Sequence, residues 1–297
     1  MKTRILAILL AITFLSGSGV AAHTRQKNKQ NTKSTALVEK NVTTELTYDV
    51  TRFSGVSVSA GIKVIYTVSS KVNVTVKATT PELLKRVRVE NVNGILSFGI
   101  RKKNGRNNGM GAGNMVVAYV SGPSLSSVSA SSSGEFKTRS GFNVSEPMTL
   151  TTSSSGEISL ASVSFSSMEI SASSSSEISV DSATGGEIVV HTSSGSEVEF
   201  GTASCKSILA TGSSGSEISF SRATVKGSTT FSGSSGSEFK IAGSGSHVDF
   251  NVSSGAEVKA RRFVAKTGVA VSSRSGGDID CNVDRLEQPS RKIKNNR

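Results

Sequence analysis

The chain has 297 residues, a formal net charge of +12, two cysteines, no tryptophan and three tyrosines. Its apolar content is only 35% and serine and glycine abound, which on composition alone would suggest a flexible linker. No zinc-finger spacing and no aromatic recognition-sheet motif is present, so the basic balance does not mark a nucleic-acid module. The charge is also uneven. Residues 1–123 carry 18 Lys/Arg against 5 Asp/Glu, residues 124–285 carry 12 against 16, and residues 286–297 carry 4 against 1, giving +13, −4 and +3.

Residues 1–22 read as an export signal. Lys2 and Arg4 supply the positive start, Ile5 to Leu15 an apolar run too short to span a bilayer, and Val20-Ala21-Ala22 the small residues of a cleavage site. No cysteine follows the apolar run and no later segment is long and apolar enough for a membrane helix. The expectation is an exported protein of the periplasm, outer surface or medium, with no transmembrane helix. Residues 23–44 are polar and basic and read as a disordered linker.

Residues 45–285 read as one all-β domain, less regular over 45–123 and regular over 124–285, followed by a basic tail at 286–297. The first part holds alternating runs such as Gly55–Ser59, Ile62–Tyr66 and Val72–Val76. Residues 81–86 suit one short helical turn. Arg101 to Asn114 is a Gly- and Asn-rich basic loop interrupting a possible hairpin.

From Ser131 onward the chain repeats itself. Ser-Ser-Ser-Gly-Glu-Phe at 131–136 recurs in variant form seven times, and its acidic marker falls at Glu135, Glu157, Glu177, Glu197, Glu217, Glu238, Glu257 and Asp278. The spacings are 22, 20, 20, 20, 21, 19 and 21, the period of a solenoid. One and three places after most markers stand apolar residues, as in Ile158/Leu160, Val198/Phe200 and Phe239/Ile241; nine and seven places before stand others, as in Met168/Ile170 and Val248/Phe250. Period two means half-buried strands. A third short segment shows in some repeats, as at Val163/Phe165 and Ala203/Cys205. Glu187 and His247 fall midway between markers, a half-period echo. The expected fold is a single-stranded right-handed parallel β-helix of about 20-residue coils, with Ser-Ser-Gly-Ser corners and aliphatic and phenylalanine columns inside. An antiparallel sandwich or barrel, with hairpins every ten residues or so, is the alternative.

Arg52 to Val64, Asn93 to Phe98 and Tyr119 to Gly134 together resemble, in that order, the head GIN domain family of auto-transporter adhesins. The resemblance spans about residues 52 to 285. It implies export, a β-helical fold and an adhesin-type role in the cell envelope without catalysis. The acidic residue at nearly every repeat departs from the family pattern.

The acidic markers form the candidate surface ladder. Carboxylates on successive rungs stand about 4.8 Å apart and repel by ~1 kcal/mol in water. Calcium would suit such oxygens, but the glycine-rich signature of calcium β-rolls is absent, and pairing with outward lysines such as Lys137 and Lys240 explains the ladder without a cofactor. A lyase or hydrolase acting on acidic glycans is the leading enzymatic alternative. It would need acidic groups that break the repeat, whereas these follow it, and His191 and His247 read as isolated surface residues. No catalytic, cofactor-binding or metal-binding residue is assigned. The expected partner is an envelope or extracellular polymer or protein, with weak self-association through the terminal coils as a structural alternative. Cys205 and Cys281 belong to coils four steps apart, about 19 Å along the axis, too far for a disulfide, and read as free buried thiols.

Overall fold

A computed structural model describes residues 44–101, 110–282 and 292–293. The expected signal, most of the linker, the middle of the basic loop and most of the basic tail lie outside the described residues. The described strands form one continuous hydrogen-bonded system, and every pairing between successive repeats is parallel. The chain is a β-solenoid, and the hairpin alternative is excluded by that register.

Each regular coil has three faces. The marker face holds β3 (Lys63–Val68), the starts of β9 (Glu135–Val144), β11 (Glu157–Ala172), β12 (Glu177–Thr192), β13 (Glu197–Cys205), β15 (Glu217–Gly233), β16 (Glu238–Val252) and β17 (Glu257–Ser273), and β18 (Asp278–Cys281). The second face is the short segment that follows, residues 162–165, 182–185, 202–205, 222–225, 242–245 and 262–265. The third face holds β2 (Gly55–Val58), β8 (Ser127–Ala130), β10 (Met148–Thr152), β14 (Ser207–Gly212) and the ends of β11, β12, β15, β16 and β17. The third segment legible in only some repeats is thus a full face. β19 (Lys292–Ile293) adds to the third face beside β17.

Alternate residues of all three faces point inward, because side chains on a strand alternate in direction. They give the core its columns: Ile158, Ile178, Val198, Ile218 and Phe239 stack on the marker face, and Met168, Ile188, Ile208, Thr229 and Val248 on the third. Phenylalanines dominate toward the C-terminal coils. Phe200 stacks on Phe220 at 4.6 Å between centroids and 3°, and Phe231 on Phe239 and Phe250 at 5.1 Å each.

The corner joining the third face to the marker face is a two-residue left-handed turn. Serine as well as glycine occupies it: Ser154 and Ser155 have φ of 49° and 61°, Ser194 and Gly195 of 54° and 71°. That conformation costs residues other than glycine roughly 1–2 kcal/mol. Hydrogen bonds oppose the cost. Gly156 N donates to Ser153 O at 2.9 Å across the turn, and Ser155 N donates to Ser174 O at 3.1 Å in the next coil. Corner thus stacks on corner with its amides satisfied.

Residues 45–123, expected to be less regular, keep the same faces but take their rungs out of chain order. β6 (Ile95–Ile100) and β7 (Val116–Gly122) stack on β2 and β3, which themselves stack on β8 and β9. β2 and β3 are therefore inserted between rungs that come later in the sequence. The basic loop does not close a hairpin, since β6 and β7 stand on different faces. Antiparallel strands then cover this end: β5 (Val87–Val92) pairs with β6, β4 (Asn73–Ala78) with β7, and β1 (Thr44–Tyr48) with β4. That covering removes the parallel edge that would invite a second chain. The short helix α1 (Pro81–Arg86) forms where expected; Thr80 accepts a hydrogen bond from Leu83 N at 3.2 Å and Leu83 and Leu84 are buried. Among the described residues no helix is long and apolar enough to cross a membrane.

Just inside the corners runs a column of small buried polar side chains. Ser176 Oγ donates to Thr152 Oγ1 at 2.9 Å, Ser196 Oγ to Ala172 O at 2.8 Å, and Thr192 Oγ1 to Ser216 Oγ at 2.8 Å. One rung later Gly212 stands in register with Thr192, and the Ser237 hydroxyl is left buried without a partner among the described residues. The next coil has Ala256 at the corresponding position. Equivalent serines should then respond with opposite signs. Ser216→Ala, which strips a partner from Thr192 and from Ser213 N, should cost ~1–2 kcal/mol, whereas Ser237→Ala should be neutral or stabilising by up to about 1 kcal/mol. Urea unfolding of the two variants measures both.

Candidate functional site

The eight acidic markers stand in a single register file along one edge of the marker face, from Glu135 through Glu157, Glu177, Glu197, Glu217, Glu238 and Glu257 to Asp278. Two residues along each strand runs a second file, in which Lys137, Lys240 and Lys259 face the first. Each lysine bridges two rungs. Lys137 pairs with Glu135 and lies 3.1 Å from Glu157; Lys240 lies 2.7 Å from Glu217 and 3.2 Å from Glu238; Lys259 lies 2.5 Å from Glu238 and 3.0 Å from Glu257. Lys63, in register with Glu135 on the inserted rung, adds a pair at 3.1 Å. Arg261 closes the series on Asp280 at 2.6 Å. Lys137 and Lys240 are the partners read from the sequence; the roles of Lys63, Lys259 and Arg261 were not read there, because they depend on which rungs become neighbours.

The ion pairs shift the titration of Glu135, Lys137, Glu238 and Lys240. Partial burial alone would raise the carboxyls of Glu135 and Glu238, but the hydrogen bonds and charges of their lysines outweigh it and hold both below the ordinary value. Burial would likewise lower Lys137 and Lys240, and their glutamates instead raise them. Carboxyls lowered by folding contribute stability above the unfolded value of about 4.3, lost as pH falls through the folded value. Lysines raised by folding contribute stability below the unfolded value of about 10.4, lost as pH rises through the folded one. The melting temperature should therefore be flat across neutral pH and fall at both extremes. In a Lys137→Gln/Lys240→Gln variant the acid-side fall should shrink, which thermal melts at graded pH would show.

Along the third face lies a groove of about 570 Å³. The outward column Thr151, Ser171, His191, Thr211, Ser232 and Asn251 lines it, one residue per coil, with the corner serines beside it. Five rung steps give it a length of about 24 Å. Its lining is mostly hydroxyl, with one imidazole and one amide, and holds no Asp, Glu, Lys or Arg. His191 is exposed in this column and its Nδ1 lies 2.6 Å from Thr211 Oγ1; His247 is exposed on the same face near its edge. The column was legible, since all six residues sit six places before a marker, but the acidic repeats drew the reading away from it.

Cys205 is buried in the second face and burial pushes its thiol up to about 11; Cys281 is half-buried on β18, a correction to the expectation of two buried thiols. Both are free. Cys281 is less covered because it stands on the last marker-face rung among the described residues.

Among the described residues no three His, Cys, Asp or Glu side chains converge as metal ligands would. The carboxylates are arranged in a file, with Glu135, Glu157, Glu217, Glu238 and Glu257 paired with lysines, not as a facing pair across a cleft. Stacked coils whose outward columns run along the axis define a β-solenoid. Residues 52–235 match the family described as "Putative auto-transporter adhesin, head GIN domain", and the chain belongs to that family. Solved structures agree on the fold. A "putative adhesin" from Parabacteroides merdae is similar at TM-score 0.68 with 11% identity, over 80% of this chain and 95% of that one. A "putative adhesin" from Parabacteroides distasonis is similar at 0.65 with 14% identity, over 80% and 96%. A "putative lipid binding protein" from the same organism is similar at 0.67 with 16% identity, over 80% and 96%. None of the curated proteins compared with the chain matches it.

Proposed function

We propose that this chain is an exported, non-enzymatic binding module of the cell envelope, an adhesin that presents a stiff solenoid surface to a repetitive partner. The observation that carries this reading is the register itself. Outward positions repeat once per coil along the stack, so related side chains, as in the acidic file, are offered at successive rungs. Repeated weak contacts sum to firm attachment when a polymer engages several at once. The ion-pair ladder supports binding over glycan cleavage, because five of its carboxylates, Glu135, Glu157, Glu217, Glu238 and Glu257, pair with lysines along one file. A glycosidase needs one carboxyl raised and a second placed across the scissile bond.

Two measurements test the proposal. Fractionation of cells making the full chain, with N-terminal sequencing of the product, should find it outside the cytoplasm and beginning close to His23. Beads coated with that product should be retained on surfaces bearing immobilised polysaccharides or matrix proteins, and incubation with acidic polysaccharides, with and without calcium, should release no fragments. A cytoplasmic product with an intact N-terminus, or glycan turnover, would sink the reading.

A further inference from the structure

The net charge of −4 over residues 124–285 conceals a separation by face. Carboxylates and their lysines crowd the marker face. The second face and the corner leading from it to the third carry, over residues 202–206, 222–227, 242–246 and 262–267, five basic residues and no acidic one: Lys206, Arg222, Lys226, Arg262 and Lys266. All five are exposed, and among the described residues none has a carboxylate within ion-pair distance, in contrast to Lys240, Lys259 and Arg261 on the marker face.

Their placement follows the rungs. The Lys206 and Lys226 backbones lie on adjacent rungs, where Gly227 N donates to Lys206 O at 2.8 Å. Arg222 and Lys226 flank one side of the rung 242–246, and Arg262 and Lys266 the other, so each like pair is about 10 Å apart. That middle rung is Ala242-Gly243-Ser244-Gly245-Ser246, with no side chain larger than serine. The result is a shallow trough with cations on both banks. Thr202, Ser204, Thr224, Ser244 and Thr267 place hydroxyls among the cations.

We propose that this strip is the docking surface for an acidic polysaccharide, its carboxylate or sulfate groups lying over the small rung between the arginines and lysines and its hydroxyls meeting the interleaved serines and threonines. Charge complementarity selects a polyanion. Arginine forks suit carboxylate and sulfate oxygens in pairs. The hydroxyls between the cations suit a partner that alternates charge with neutral polar groups. Single-stranded nucleic acid would call for aromatic platforms, and the outward positions of this face hold none. A lipid surface would call for apolar side chains to enter it, and the outward positions are hydroxyl, glycine or basic, apart from Ala242 and a partly covered Val264. The inference takes the chain to be a binding protein, as proposed above, and adds the face and the ligand class.

The test uses the full processed chain and four probes: polygalacturonate, neutral dextran, duplex DNA and phosphatidylglycerol vesicles. The variant is Arg222→Gln/Lys226→Gln/Arg262→Gln/Lys266→Gln. The control, Lys71→Gln/Lys85→Gln, removes two exposed lysines outside the strip. Polygalacturonate should bind the wild-type chain with an affinity that falls as salt rises, and dextran should not. The fourfold variant should lose about tenfold or more, the control less than about twofold, with unchanged melting temperatures in both. Equal binding by the fourfold variant overturns the assignment, as does binding of DNA or vesicles as tight as that of the glycan. So does no polygalacturonate binding by the wild-type chain; bead retention that survives such a result would show that the adhesive reading holds while this surface assignment fails.

Discussion

Phe231→Ala should cost about 3–5 kcal/mol and give the largest fall in urea midpoint of any single substitution proposed for this chain. Phe231 is fully buried where the aromatic columns of two faces meet, 5.1 Å from Phe239, 5.1 Å from Phe250 and 6.3 Å from Phe220. Removing it strips contacts from three rings at once and leaves a void between three coils. In a solenoid each coil holds only its neighbours, so the damage should be local in origin and large in consequence. Unfolding should separate into two phases, with the C-terminal coils opening first. Phe231→Leu keeps most of the volume and should cost less than about 1.5 kcal/mol. A loss below 1 kcal/mol for Phe231→Ala would mean that the rings are not packed as described.

Gly243→Ala should be the more surprising loss, about 2–3 kcal/mol for one methyl group. Its column on the second face reads Val163, Ala183, Ala203, Ala223, Gly243 and Phe263, so alanine is the commonest residue there. The backbone at Gly243 has φ of +125°, and an added Cβ would run into the Ala223 backbone well inside contact distance. Two register irregularities between β15 and β16 bracket this rung, which has moved close to the one before it. Gly255→Ala separates strain from collision: its φ is +76° with open space around the new Cβ, and it should cost only about 1 kcal/mol. Equal losses at the two glycines would show that backbone strain alone matters.

These two sites mark how far the sequence could be read. Period-two alternation around Ile158/Leu160 and Met168/Ile170 fixes which residues face inward, and the marker spacing near 20 fixes the coil, because equivalent positions stack only if successive turns match in length. The acidic file follows from the same spacing, and so do Lys137 and Lys240 as its partners. Other features depend on which rungs touch. Ser154 and Ser155 take left-handed angles because neighbouring corners bond them there. Lys63 reaches Glu135 across 72 residues because β3 lies against β9.

Local pattern alone therefore determined that this is a parallel solenoid with serine corners, aliphatic and phenylalanine columns and an acidic edge. Tertiary stacking alone decided that β2 and β3 enter between later rungs, that β1, β4 and β5 cover one end, that a hydroxyl groove runs along the third face, and that basic residues scattered over some 60 positions gather on the second. The physical reason is the same in each case. Alternation is a property of one strand and its two sides, whereas a surface is made of many strands. Its charge and shape emerge only when register sets residues about 20 positions apart side by side at about 4.8 Å.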